Sequence, residues 1–177
     1  MSENQSKPWA SEPNEVFFKH LGVPCMIIRH RSLGTLCGYA RLPTGPLADL
    51  VRAEGRKVRA PLKFFKGTSY HKKSSFAKVK RQPLYDANIL RGVEVHGGLT
   101  YGSAPGHHYR MRRGVWVGFD CAHAGDFIPF MEQFLPKGSS LFKEDCYADI
   151  EFVTGSLHGL VAQLLALHYR LLEKKRK

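Results

Sequence analysis

Residues 115–126 read VWVGFDCAHAGD, an apolar run followed at once by two aspartates, a cysteine and a histidine. Polar groups set that close to a core are costly unless something pairs with them. Asp120, His123 and Asp126 stand three residues apart. On a helix they would fall roughly along one face. In a loop, which Gly125 suggests, the backbone can still fold them toward one point. A second cluster, VEVHGGLTYG at 93–102, carries His96 at the end of a strand-like run. If the strands holding His96 and Asp120 are neighbours, their ends meet. Carboxylate and imidazole are the ligand types for Zn2+, Mn2+ or Fe2+. His96, Asp120, His123 and Asp126 are therefore the candidate metal ligands and acid–base groups. A divalent ion there (Zn, Mn or Mg) lowers the pKa of water toward about 7 and stabilises charge on a phosphoryl group. No cofactor other than a metal is expected. The plainer alternative is that both aspartates cap turns and His123 bonds a backbone carbonyl. No H-E-x-x-H pattern is present to decide between them.

Other polar residues open narrower possibilities. Cys121 with His123 suggests a thiolate and its base, which requires an electropositive, partly exposed setting. In an extended chain the two point to opposite sides, and Cys121 fits a core equally well. Gly97 and Gly98 permit close backbone approach and can offer amides to an anion; otherwise they form a simple turn. His107 and His108 sit in a Gly/Pro loop and read as exposed. Glu151 and Gln163 lie on a C-terminal helix, where Glu151 either faces the cluster as a base or favours the helix N-terminus.

The elements that must position these groups are few. VPCMIIRHRS and TLCGYARLP read as a hairpin. PLADLVRAE reads as a short helix with Pro46 in its first turn. VEVHGGLT reads as a strand entering a glycine turn, YGSAPGHHYRMRR as a loop, and GVWVGFD as a strand with alternating apolar residues. FIPFMEQFL reads as a short helical piece interrupted by Pro129. From about Ala148, Val153, Leu157, Leu160, Val161, Leu164, Leu167 and Leu171 recur at helical spacing, an amphipathic helix that should cover the sheet. The expected fold class is α+β, a mostly antiparallel sheet packed by a long C-terminal helix. Residues 1–14 read as a disordered leader, 15–172 as one domain, and 173–177 as a fraying basic tail.

Residues 55–82 differ in kind. From Arg56 to Arg81 there are ten basic residues and no acidic one: Arg56, Lys57, Arg59, Lys63, Lys66, Lys72, Lys73, Lys78, Lys80 and Arg81. Phe64, Phe65, Tyr70 and Phe76 are interleaved. Such a stretch is either a solvated insertion or a nucleic-acid contact in which cations meet phosphates and aromatics stack on bases. With Gly97 and Gly98, these basic residues are the candidate substrate-binding set.

The chain has 177 residues and a formal charge of +12. That imbalance favours anionic partners, a nucleic acid, a nucleotide or an acidic host protein. The four cysteines, Cys25, Cys37, Cys121 and Cys146, include no C-x-x-C pair, which argues against a zinc ribbon. The polar N-terminus lacks the regions of a signal peptide, and no apolar run is read as reaching the ~18–20 residues of a membrane span. A cytoplasmic location and no membrane partner are expected.

GYARLP at 38–43, VHGGLTYG at 95–102 and WVGFDCAHAGD at 116–126 together resemble a family of small phage and bacterial proteins. Its members look like G-Y-V-x-[IVL]-P, V-H-G-G-[LI]-T and W-x-G-F-D-x-A-H-x-G-D, followed by a C-terminal helix. The likeness covers about residues 23–170, with 55–82 as an enlargement. It attaches no activity, but implies a phage or prophage origin and life in a bacterial cytosol. Relatives continue the proline segment as G-H-P, whereas this chain has Thr44-Gly45-Pro46 with no histidine; if that histidine belongs to a site, the site here is incomplete or His71 or His107 substitutes. The expected function is a metal-assisted hydrolase of a phosphate-containing substrate, a nucleotide or nucleic acid. Its alternative is a non-catalytic phage accessory protein that binds nucleic acid, a nucleotide signal or a host protein.

Overall fold

The central hairpin forms where the apolar pattern places it. β2 (Val23–Arg29) and β3 (Leu36–Arg41) pair antiparallel, with Cys25 opposite Ala40 and Arg29 opposite Leu36. The computed structural model describes residues 7–57, 84–134 and 146–177. Three further strands complete an antiparallel sheet of order β1-β2-β3-β5-β4, with β1 (Glu15–His20), β4 (Tyr101–Ser103) and β5 (Trp116–Asp120).

β1 lies outside the sequence reading, which begins the sheet at Val23. Its residues do alternate, with Val16 and Phe18 packed on the core while Phe17 is exposed. His20 faces Val23 across a two-residue turn in which Leu21 and Gly22 have φ of 48° and 79°. Positive φ at both central residues suits the right-handed twist of a hairpin.

The second half of the sheet corrects two expectations. Val93–His96 is not a strand, and the strand beside β5 is Tyr101–Ser103, within the segment read as a loop. The exchange follows from hydrogen bonding. Glu94 N donates to Gln163 Oε1 at 2.8 Å, and Gln163 Nε2 donates to Glu94 O at 2.7 Å. With its backbone held by a helix side chain, this segment does not pair with β5.

One sheet face is covered by α3 (Ile150–Arg176), so the α+β class holds. Val153, Leu157, Leu160, Val161 and Leu164 are fully buried against Cys25, Ile27, Leu36, Val117 and Phe119. Burial of each such side chain contributes roughly 1.5–3 kcal/mol. Asp149 caps the helix, its carboxylate accepting from Phe152 N at 2.8 Å. Two expectations about this helix are corrected. It runs through Arg176 where residues 173–177 were expected to fray. It is also long and apolar enough, by length and composition, to cross a membrane. No charged residue lies between Glu151 and Arg170. The face turned from the sheet carries Gly155, Gly159, Ala162 and Ala166 in place of charges. α2 (Pro46–Lys57) starts at Pro46 as expected and packs beside α3. A 3-10 helix at Pro129–Phe134 replaces the broken helical piece.

The opposite sheet face is partly open. Met26, Cys37, Tyr39, Met111 and Trp116 form a small second cluster there, with Ile28 and Tyr101 at its edge.

The expectation of a disordered leader is overturned for residues 7–14; residues 1–6 lie outside the described residues. A short helix, α1 (Pro8–Ser11), places Trp9 against Phe127 and Tyr147, with ring centroids at 4.9 and 5.3 Å. Glu12 then enters a polar hub. It accepts from Arg29 Nη2 at 3.0 Å, from Tyr147 Oη at 2.5 Å and from Ile150 N at 2.9 Å. Burial, followed by the Glu12 hydrogen bond, pushes the Tyr147 hydroxyl up to about 12, so it stays a donor. The signal missed in the sequence is compositional: Trp9 and Glu12 stand among prolines that suggest disorder.

Candidate metal centre

The four chemistry-bearing residues reach one corner of the sheet by two routes. β5 delivers Asp120 at its last position, and the chain then turns through Cys121, whose amide donates to Leu36 O at 3.1 Å. The loop closes when Asp126 N donates to His123 O at 3.0 Å. A parallel bridge between Asp126 and Cys146 fixes its far side. The other route is the Gln163-held segment, which ends in a turn closed by Gly98 N donating to Val95 O at 2.9 Å.

His96 lies at that turn. Its Nε2 is 2.9 Å from both oxygens of Asp126. The same carboxylate accepts from His123 N at 2.8 Å. His123 Nδ1 lies 3.4 Å from Asp126 Oδ2. It is buried, and among the described residues it has no hydrogen-bond partner. Ligand atoms of His96, His123 and Asp126 all lie within 4.8 Å of one another. Ligand atoms bound tetrahedrally to a Zn-like ion at ~2.1 Å stand roughly 3.4 Å apart; the two edges to Asp126, at 2.9 and 3.4 Å, are close to that spacing, while the His96–His123 edge is bounded only by 4.8 Å. An orphaned imidazole nitrogen beside a buried carboxylate is the atom such an ion would satisfy.

The fourth candidate departs from the expected ligand set. Asp120 stands outside the triad, with Oδ1 4.0 Å from His123 Nε2. Strand alternation turns it to the open sheet face. There Oδ2 accepts from Thr100 Oγ1 at 2.7 Å and Oδ1 from Ala122 N at 3.1 Å. It remains an acid–base candidate beside the centre.

Gly97 has φ of 63°, and a Cβ built on it would lie 2.0 Å from His123 Cε1. The imidazole thus rests on the bare α-carbon, a place only glycine leaves open. The anion-cradle expectation is corrected for Gly98, because its amide is committed to the turn. Cys121 is buried, and burial pushes its thiol well up. It stays protonated at neutral pH, which ends the thiolate reading.

The remaining candidates lie elsewhere. His107 packs with Tyr39 and Tyr101 on the open face, away from the triad. His108, expected exposed, pairs with Glu15 Oε1 at 3.1 Å. Glu151 is exposed, and it is Phe152 that meets His96, with ring centroids at 5.1 Å. Arg56 and Lys57 end α2. Arg59, Lys63, Lys66, His71, Lys72, Lys73, Lys78, Lys80 and Arg81 lie outside the described residues. The site residue missed in the sequence is Thr100, which follows His96 by four positions and fixes Asp120.

No family model, curated protein or solved structure matches this chain. The functional reading therefore rests on the geometry of the site and on the charge of the chain.

Proposed function

We propose that this protein is a metal-dependent hydrolase of a phosphate-containing substrate, a nucleotide or nucleic acid, and that it works in a bacterial cytoplasm as a phage-type protein. The observation that carries this reading is the His96–His123–Asp126 triad, two imidazoles and one carboxylate whose ligand atoms lie within 4.8 Å of one another. A divalent ion held there would supply an activated water and charge stabilisation for a phosphoryl group. Asp120, hydrogen-bonded to Thr100 and 4.0 Å from His123, would be the base for that water. The net charge of +12 suits an anionic substrate.

A specific observation favours the rival reading, a non-catalytic accessory protein. Asp126 and Asp120 already accept from the loop amides of His123 and Ala122, as capping residues do. One experiment separates the two. Melting of the native chain, His123→Ala and Asp126→Ala is followed with chelator and with added Mn2+ or Zn2+. Metal at about 100 times its dissociation constant contributes ~2.7 kcal/mol, or about 5–10 °C for a chain of this size. The hydrolase reading expects that rise in the native chain and its loss in both variants. Absence of any metal response, with Asp126→Ala destabilised by the same ~1 kcal/mol in every buffer, identifies a capping network and the binding protein.

The basic run from Arg56 to Arg81 is expected to hold phosphates. Affinity for a generic nucleic acid should then fall with salt at a log–log slope of about −0.7 to −0.9 per phosphate neutralised. Deleting 58–81 should flatten that slope. Failure of the intact protein to bind any strand or duplex at low salt removes this role.

A further inference from the structure

The open face of the sheet carries two joined concavities. One, of about 290 Å³, is lined by Thr35, Tyr39, Thr100, Tyr101 and Asp120 among others. The second, of about 930 Å³, shares His30, Cys37 and Tyr39 with it and extends to Arg31, His107 and Tyr109. These volumes span the range of small-molecule sites. The metal centre adjoins the smaller end, because Asp120 belongs to its wall and lies 4.0 Å from His123.

Three features define what this cleft recognises. Thr35 is 2% exposed, and among the described residues its Oγ1 has no hydrogen-bond partner. A buried hydroxyl is costly to leave unpaired, and this one borders the cleft. His30 Nδ1 accepts from the amides of Ser32 and Leu33 at 3.3 and 3.2 Å. Its other ring nitrogen is then the one that carries the hydrogen, a donor on the wall of the larger concavity, which the exposed Arg31 also lines. Finally, Tyr39, Tyr101 and His107 form a group of mutually edge-on rings, with centroids 5.0 to 5.6 Å apart. Hydroxyl, imidazole and guanidinium donors suit a phosphate. Aromatic side chains suit a flat heterocycle.

We propose that this cleft is a mononucleotide site, with the phosphate held by Thr35, His30 and Arg31 beside Asp120, and the base against Tyr39, Tyr101 and His107. The assignment rests on the hydrolase reading for its direction, since it sets the phosphate next to the metal centre. Binding itself requires only the cleft.

The test is calorimetric titration of the full chain with AMP, adenosine, ribose 5-phosphate and inorganic phosphate, in chelator and in Mn2+. AMP should bind under both conditions, at least about 10-fold more tightly than any fragment, because base and phosphate subsites act together. Thr35→Val should weaken AMP about 5-fold, the loss of one hydrogen bond, leave adenosine unaffected, and melt no lower than the native chain. Arg31→Ala should weaken AMP about 10-fold, as loss of a charge-assisted contact does. A short adenylate strand that binds more tightly than AMP and is weakened by both substitutions identifies a strand end as the source; equal affinity identifies the free mononucleotide. AMP that fails to bind in either condition, or binds both variants as tightly as the native chain, overturns the proposal. The two readings fail separately. AMP bound in chelator, with neither AMP nor the short adenylate strand hydrolysed in Mn2+, removes the hydrolase and keeps the cleft. Metal-raised melting without AMP binding removes the cleft and keeps the metal centre.

Discussion

Glu12→Ala should lower stability by about 2–3 kcal/mol. That is less than the ~3–5 kcal/mol of a fully buried ion pair, because this one is partly buried and Arg29 keeps Asn14, Gly34 and Tyr147 as partners. The magnitude comes from burial, not from distance. The Lys7–Glu132 pair is shorter, at 2.7 Å, but its side chains are 54% and 38% exposed. Water and side-chain entropy leave such a pair ~1 kcal/mol at most. Arg29 and Glu12 are 11% and 14% exposed. Removing Glu12 leaves a guanidinium with little access to water and deprives Tyr147 Oη and Ile150 N of their acceptor. Urea unfolding of the single variant, of Arg29→Met and of the double variant Glu12→Leu/Arg29→Met checks this. The double variant should recover much of the loss, because no charge is stranded in it. A loss below about 1 kcal/mol in Glu12→Ala would show that residues 7–14 do not dock on the domain.

Gly97→Ala should destabilise by about 2–5 kcal/mol and remove the metal response. Two terms add. A side chain at positive φ costs ~1–2 kcal/mol, and overpacking a filled site costs ~1–3 kcal/mol. The new methyl would sit 2.0 Å from His123 Cε1, so the imidazole must leave the triad. The neighbouring position supplies the control. Gly98 has φ of 85°, yet a Cβ there meets nothing within 4 Å. Gly98→Ala should therefore show only the backbone cost, ~1–2 kcal/mol, and keep its metal-induced rise in melting. Equal melting and equal metal response in the two variants would contradict the placement of His123 over Gly97.

The apolar repeats determined the hairpin of β2 and β3, the start of α2 at Pro46, and α3 as the cover of the sheet. These are consequences of local spacing, where periods near two and near 3.6 select strand and helix within a few residues. The residue types of the D-x-x-H-x-x-D run marked the site for the same reason. Pairing over long separations could not be read this way. Whether Val93–His96 or Tyr101–Ser103 joins β5 depends on Gln163, some 69 positions from Glu94. The docking of the N-terminal segment depends on Glu12 meeting Ile150 across 138 positions, while its local composition suggested disorder. The division of labour between the two aspartates is also tertiary. Both are equally acidic in sequence, but strand alternation turns Asp120 to the open face, and the turn after it carries Asp126 into the corner with His96. The sequence by itself thus chose the chemistry available to this protein. Only the fold decided which imidazoles share a carboxylate, because that choice is made by contacts between segments that no local pattern connects.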